Sequence, residues 1–200
     1  MNRPFLLSAA IALFLWSCGE NNRASDSVPD STTTKADTTA KVESPYFPVY
    51  DFLSNEVEYV DSTPVGIMKY RTIGKMKDSG YISLEEFHKL VSEFQTPEIN
   101  DSLFKVKFHE TSFIDKSNGN ATFFYKTRDT GTQIKRVDIV TAKGEIYDEV
   151  KSMYIEKNFQ HADSLIVKKL YWKPKRHFQI ITITPAGKDE LIKVVWDNRE

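Results

Sequence analysis

A single cysteine, Cys18, occurs in the 200 residues, which excludes an internal disulfide and any metal centre built from cysteine pairs. Glycine and proline are sparse, eight of each, too few for a collagen-like or low-complexity chain. No Gly-x-Ser-x-Gly elbow and no glycine-rich phosphate loop occurs, so no nucleophile or nucleotide site announces itself. Charge of one sign is also lacking. The 27 Lys and Arg stand against 28 Asp and Glu, a formal charge of −1, from which no general polyanion-binding role follows, and no nucleic-acid partner is expected. No apolar run reaches the roughly 20 residues of a membrane-spanning helix; the run Phe5 to Trp16 holds about a dozen.

What is present is aromatic. Thirteen Phe, nine Tyr and three Trp, within a hydrophobic share of 40%, suffice for a packed core without disulfides. The length suits one ordinary domain behind a leader.

Residues 1–17 read as that leader. Arg3 makes a short basic head, the apolar run follows, and Ser17 directly precedes Cys18, the order of a signal peptide. Leu15-Trp16-Ser17-Cys18 resembles the lipobox of bacterial lipoproteins, with Trp16 where a smaller residue is usual. The resemblance implies cleavage before Cys18, a diacylglyceryl thioether on its thiol and an acyl chain on the freed amine. One acyl chain anchors marginally and two or three stably, at about 0.8 kcal/mol per buried CH2. Gly19, and not Asp, follows the cysteine, which by the same resemblance favours the outer membrane. The expected partner of Cys18 is therefore a membrane.

Residues 18–45 read as a lipidated cysteine and a disordered tether. From Gly19 to Ser44 there is no aromatic, Leu, Ile or Met, too little apolar surface to offset chain entropy. Coil scaling gives a span of roughly 30 Å. Asp26-Ser27-Val28, Asp30-Ser31-Thr32 and Asp37-Thr38-Thr39 resemble the O-glycosylation acceptor of the Bacteroidetes group, which makes Ser27, Ser31 and Thr38 candidate glycan sites. Plain linker composition also explains these triplets, and similar ones recur at Ser102 and Ser164.

Aromatics return at Tyr46, and residues 46–200 read as a single α+β domain. The spacing of Phe52, Leu53, Val57 and Val60 predicts a helix over Asp51 to Val60. Ser83 with Glu86 makes a capping box, and Leu84, Phe87, Leu90, Val91 and Phe94 predict a second helix stopped by Pro97. Strands are expected at Val106–Phe113, Thr122–Thr127, Ile134–Thr141, Glu149–Glu156, Leu165–Trp172, Phe178–Thr184 and Leu191–Trp196, and a hairpin at Val65–Ile73 and Tyr81-Ile82 around Gly74 to Gly80. Turns such as Asn118-Gly119-Asn120 and Pro185-Ala186-Gly187 are short enough to force antiparallel neighbours. The expected architecture is a mostly antiparallel β-meander with one or two helices on one face. The strand around Phe178, apolar on both faces, is expected to be central or covered on both sides.

Chemistry is harder to find. His88, His109, His161 and His177 are scattered without metal-site spacing, and no cofactor is expected. One feature stands out, Lys168-Lys169-Leu170-Tyr171-Trp172-Lys173-Pro174-Lys175-Arg176. Lys168, Lys169, Trp172, Lys173, Lys175 and Arg176 form a candidate contact with anionic headgroups, with Trp172 at the interface. The alternative is a solvated hairpin with Trp172 packed inward.

Residues 46–200 resemble uncharacterised small lipoproteins of the Bacteroidetes group in Asp51-Phe52-Leu53, Ile82-Ser83-Leu84-Glu85-Glu86-Phe87, Leu170-Tyr171-Trp172-Lys173 and Val194-Val195-Trp196-Asp197. That resemblance carries no assigned activity or site residue. The expected function is a non-enzymatic binding or assembly subunit at the periplasmic face of the outer membrane, with a protein partner not named by any motif. A lipid or lipoprotein carrier, with an acyl-chain cavity under the second helix, is the alternative; a hydrolase using His109, Glu110 and Asp115 is the third.

Overall fold

The computed structural model describes residues 46–129, 131–142, 149–161 and 164–197. The first helix, α1, spans Val49–Ser62 behind Pro48 and buries Val49, Leu53, Val57 and Val60 along one stripe. Thr63 ends it in extended backbone, as the residue before Pro64 must, and its hydroxyl donates to Tyr59 O at 2.7 Å. Strands β1 (Met68–Ile73) and β2 (Met76–Tyr81) follow. Their connection is only Gly74-Lys75, with Gly74 at φ 56°, so the turn is far tighter than the expected Gly74–Gly80 loop. Glycine takes positive φ at the first position of such a two-residue turn without steric cost.

Helix α2 is Leu84–Val91. The Ser83 hydroxyl accepts from Glu86 N at 3.2 Å, half of the expected capping box; the Glu86 carboxylate pairs with Lys69 of β1. Phe87, Val91 and Phe94 are buried, Leu90 partly so, and Leu84 in the first turn stays exposed. Each buried side chain contributes about 1.5–3 kcal/mol by removal from water.

A short 3-10 turn, Pro97–Ile99, leads into α3, Asp101–Lys107. This corrects the expected strand from Val106. Asn100 caps the helix by accepting from Ser102 N at 3.3 Å, and Phe104 packs on Phe108 and Tyr125 with centroids 4.6 and 4.8 Å apart. Cap and packing override the β-propensity of Val106, which is 73% exposed.

The remaining strands are β3 (Phe108–Ile114), β4 (Ala121–Thr127), β5 (Ile134–Thr141), β6 (Val150–His161), β7 (Ser164–Lys173), β8 (His177–Ile183) and β9 (Glu190–Val195). All nine form one antiparallel sheet in the order β2-β1-β9-β8-β7-β6-β5-β4-β3. The α+β class with a dominant meander is therefore as expected. Strands β3 to β9 are consecutive neighbours, and β1 joins β9. The link from β2 to β3 must pass from one edge of the sheet to the other, and it carries α2 and α3 across a single face.

Strand β6 runs five residues beyond the expected Glu156. Its tail stays paired, Phe159 with Ile166 and His161 with Ser164, and within it Lys157 turns inward. Its buried amine donates to Glu93 O at 2.6 Å, and burial holds its pKa below the usual lysine range. Under α2 the rings interlock. Trp172 stacks on Phe178 at 5.3 Å and 22°, Phe94 meets Trp172 edge-on at 5.1 Å, and Phe87 meets Trp196 edge-on at 5.7 Å.

Among the described residues no helix covers the opposite, bare face. From β3 to β9 its side chains, among them Phe124, Tyr154, Val167, Tyr171, Ile181, Ile183 and Leu191, are all at least partly exposed. Strand β8 is thus central, with Phe178 and Ile180 buried under the helices and Ile181 and Ile183 partly open on the other side. No described helix is long and apolar enough to cross a membrane.

Candidate functional site

The basic hairpin builds a cleft. Strand β7 ends at Lys173, and Pro174, Lys175 and Arg176 turn the chain into β8, with Arg176 N donating to Lys173 O at 3.2 Å. Pro174 followed by Lys175 at φ 57° is the type II pattern, whose third position normally takes glycine. A lysine there costs about 1–2 kcal/mol of backbone strain. The turn is held from α1. Glu56, buried within the stripe of Leu53, Val57 and Val60, accepts at one oxygen from Lys175 N at 2.7 Å and from Trp172 Nε1 at 3.1 Å. The Lys175 ammonium lies 5.8 Å from the centroid of the Tyr59 ring. Between α1, the start of β6 and this turn lies a cleft of about 350 Å³, lined by Phe52 and Glu56, by Glu149, Val150 and Lys151, and by Lys173 to Arg176.

The six residues expected to act together do not stay together. Lys173, Lys175 and Arg176 line the cleft. Lys168 faces the helices, ion-paired with Glu93 at 2.5 Å and 5.4 Å from the Phe159 ring centroid. Lys169 sits on the bare face, in register with Glu156. Trp172 is corrected outright: its ring is fully buried, so it cannot meet a membrane interface. The cause is strand alternation, which sends 168, 170 and 172 to one face and 169, 171 and 173 to the other. Glu56 and Lys151 escaped notice because the fold, not sequence proximity, brings them to the turn. A glutamate inside an apolar helical stripe was the one available signal for Glu56.

Cys18, Ser27, Ser31 and Thr38, with the leader and the tether, lie outside the described residues. The trio imagined for hydrolysis separates. Adjacent His109 and Glu110 point to opposite faces of β3, and His109 Nδ1 lies 3.3 Å from Arg128. Asp115 holds the turn to β4 by accepting from Ser117 Oγ at 2.7 Å and Asn118 Nδ2 at 2.8 Å. The Ser117 bonds keep its carboxyl below the ordinary range.

Cations also shape the bare face beside the turn. His177 is opposite Lys173, and its pKa is pushed down from 6.5 to about 4 by burial and then by Lys193, Lys173 and Arg176. A histidine that is harder to protonate when folded contributes stability that is complete above the unfolded pKa and is lost as pH falls through the folded one. Between about pH 6.5 and pH 4 the protein is therefore expected to lose about 1–2 kcal/mol through His177, after allowance for solvent screening. Urea unfolding at several pH values checks this against His177→Gln, which should lack that portion. An imidazole that titrates by NMR near 6.5 would contradict it.

Further along the bare face lie two patches. Leu165 and Val167 on β7, Ile181 and Ile183 on β8 and Leu191 on β9 are cross-strand neighbours, Val167 opposite Ile183 and Ile181 opposite Leu191. Beside them the Tyr154 hydroxyl donates to Glu156 at 3.0 Å, and Arg136 Nε donates to Asp138 at 2.6 Å. Burial, and next the Glu156 bond, push the Tyr154 phenol up to about 12. Among the described residues no group of three or more His, Cys, Asp or Glu is placed to hold a metal ion. Compared with family models, with curated proteins and with solved structures, the chain matches none.

Proposed function

We propose that this chain is a lipid-anchored, non-enzymatic binding or assembly subunit, held at the outer membrane through Cys18 and touching a protein partner with the bare face of its sheet. The observation that carries this reading is the patch of Leu165, Val167, Ile181, Ile183 and Leu191, contiguous across three strands and partly or fully exposed. Apolar side chains gathered into one exposed patch, unlike scattered ones, mark contact surfaces. The interlocked rings of Trp172, Phe178, Phe94 and Trp196 favour this over a carrier, because they occupy the space where an acyl chain would lie. The divergence of His109 and Glu110 supports it over a hydrolase.

The test is photocrosslinking in intact cells with a benzophenone side chain in the full chain. A probe at Ile181 is expected to give a discrete protein adduct, and a probe at Lys188, in the exposed turn after β8, none. Equal yields at Ile181, Val167, Leu191 and Lys188 would overturn the proposal.

A further inference from the structure

We propose that the cleft between α1 and the β7–β8 turn is a binding site for a phosphomonoester group. This rests on a different surface from the bare face and does not depend on how that face is used.

Charge carries the first part. Four cations line the cleft, Lys151, Lys173, Lys175 and Arg176, against two carboxylates, Glu56 and Glu149. Both carboxylates are engaged, Glu149 with the Lys151 ammonium at 2.9 Å and Glu56 with the Trp172 indole and the Lys175 amide. Among the described residues no ion pair joins Lys173, Lys175 or Arg176 to a carboxylate. Among the described lining residues the surplus is two positive charges, which a phosphomonoester, at roughly −1.5 to −2 near neutral pH, neutralises and a single carboxylate does not. Arginine adds a planar fork that can donate to two phosphate oxygens.

The backbone carries the second part. Four described residues have positive φ; three are Gly74, Gly119 and Gly187, and the fourth is Lys175. At the other three sites the chain uses the residue that fits, whereas here it keeps a cation at the lip of the cleft in a conformation that disfavours it. Glu56 fixes that conformation by accepting from the Lys175 amide, while the side chain carries its ammonium to 5.8 Å from the Tyr59 ring centroid on α1. The volume, about 350 Å³, suits a headgroup-sized ligand, and Phe52, Val150 and Pro174 supply an apolar wall.

Two sources share this chemistry, a lipid headgroup and a free phosphomonoester. Calorimetric titration of the full lipidated chain in zwitterionic detergent separates them, with glycerol phosphate and monomeric dihexanoyl phosphatidic acid as probes and malonate as a dicarboxylate control. Saturable binding of at least one phosphate probe is expected, weakened at least tenfold in Lys175→Gly/Arg176→Gln. Glycine relieves the strained position, so this variant should melt no lower than the parent, and its loss of binding reports on contact and not on unfolding. Tighter binding of the lipid probe by tenfold or more assigns a membrane headgroup; equal binding assigns a free phosphomonoester. No saturable binding of either probe, binding that survives in the double variant, or equal affinity for malonate would overturn the proposal.

Discussion

Replacing Trp172 with alanine is expected to lower the unfolding free energy by about 3–5 kcal/mol, the range for a large aromatic removed from a packed core. The residue is fully buried and touches three other rings, stacking on Phe178 at 5.3 Å, meeting Phe94 edge-on at 5.1 Å and lying 5.5 Å from Trp196. Its indole N–H is also one of two donors to Glu56, so alanine leaves a buried carboxylate short of a partner as well as a cavity beside α2. Whole domains are stable by only about 5–15 kcal/mol, so this one change removes a large part of the total. Trp172→Phe, which keeps a ring and loses the N–H, should cost clearly less. Urea unfolding by circular dichroism measures both, with the midpoint falling and the slope held. A loss below about 1 kcal/mol for alanine would return Trp172 to the surface, where membrane contact had been envisaged for it.

That residue also shows what local sequence carries and what it hides. Helix α2 is legible because cap and apolar stripe lie within twelve residues and agree with the final packing. Strands β4, β5, β7, β8 and β9 are legible to within a residue or two because turn residues bracket them. Helix α3 is not, because Asn100 caps it across only two positions and Phe104 reveals its role only when Tyr125 arrives from β4. The tail of β6 reads as loop, since a lysine on the buried face makes sense only once Glu93 O is in place to accept from it. In the cleft, the cations of the hairpin stand out in composition, yet composition ignores alternation. Leu170 and Trp172 facing one way, with Lys169, Tyr171 and Lys173 facing the other, is a period-2 pattern that already separates core from surface. Glu56 and Lys151 come from segments far apart in the chain, and no local rule joins them to the turn.

The membrane attachment proposed above rests on residues outside the sheet. In the proposed function the lipid anchor is carried by Cys18, the one cysteine of the sequence. Its substitution should therefore act as an all-or-none change. An acyl chain contributes about 0.8 kcal/mol per buried CH2, and a polypeptide that gains none is left either as uncleaved precursor or as soluble protein. The folded residues from Tyr46 onward should be unaffected, since their apolar cluster is assembled from side chains between Phe47 and Trp196. Cells grown with labelled palmitate provide the measurement, on full-length chains followed through membrane and soluble fractions. The wild-type chain is predicted to carry label and to sediment with the membranes, and the Cys18→Ser chain to carry none. Label retained on Cys18→Ser, or a wild-type chain without label, would contradict the lipid-anchored subunit proposed here.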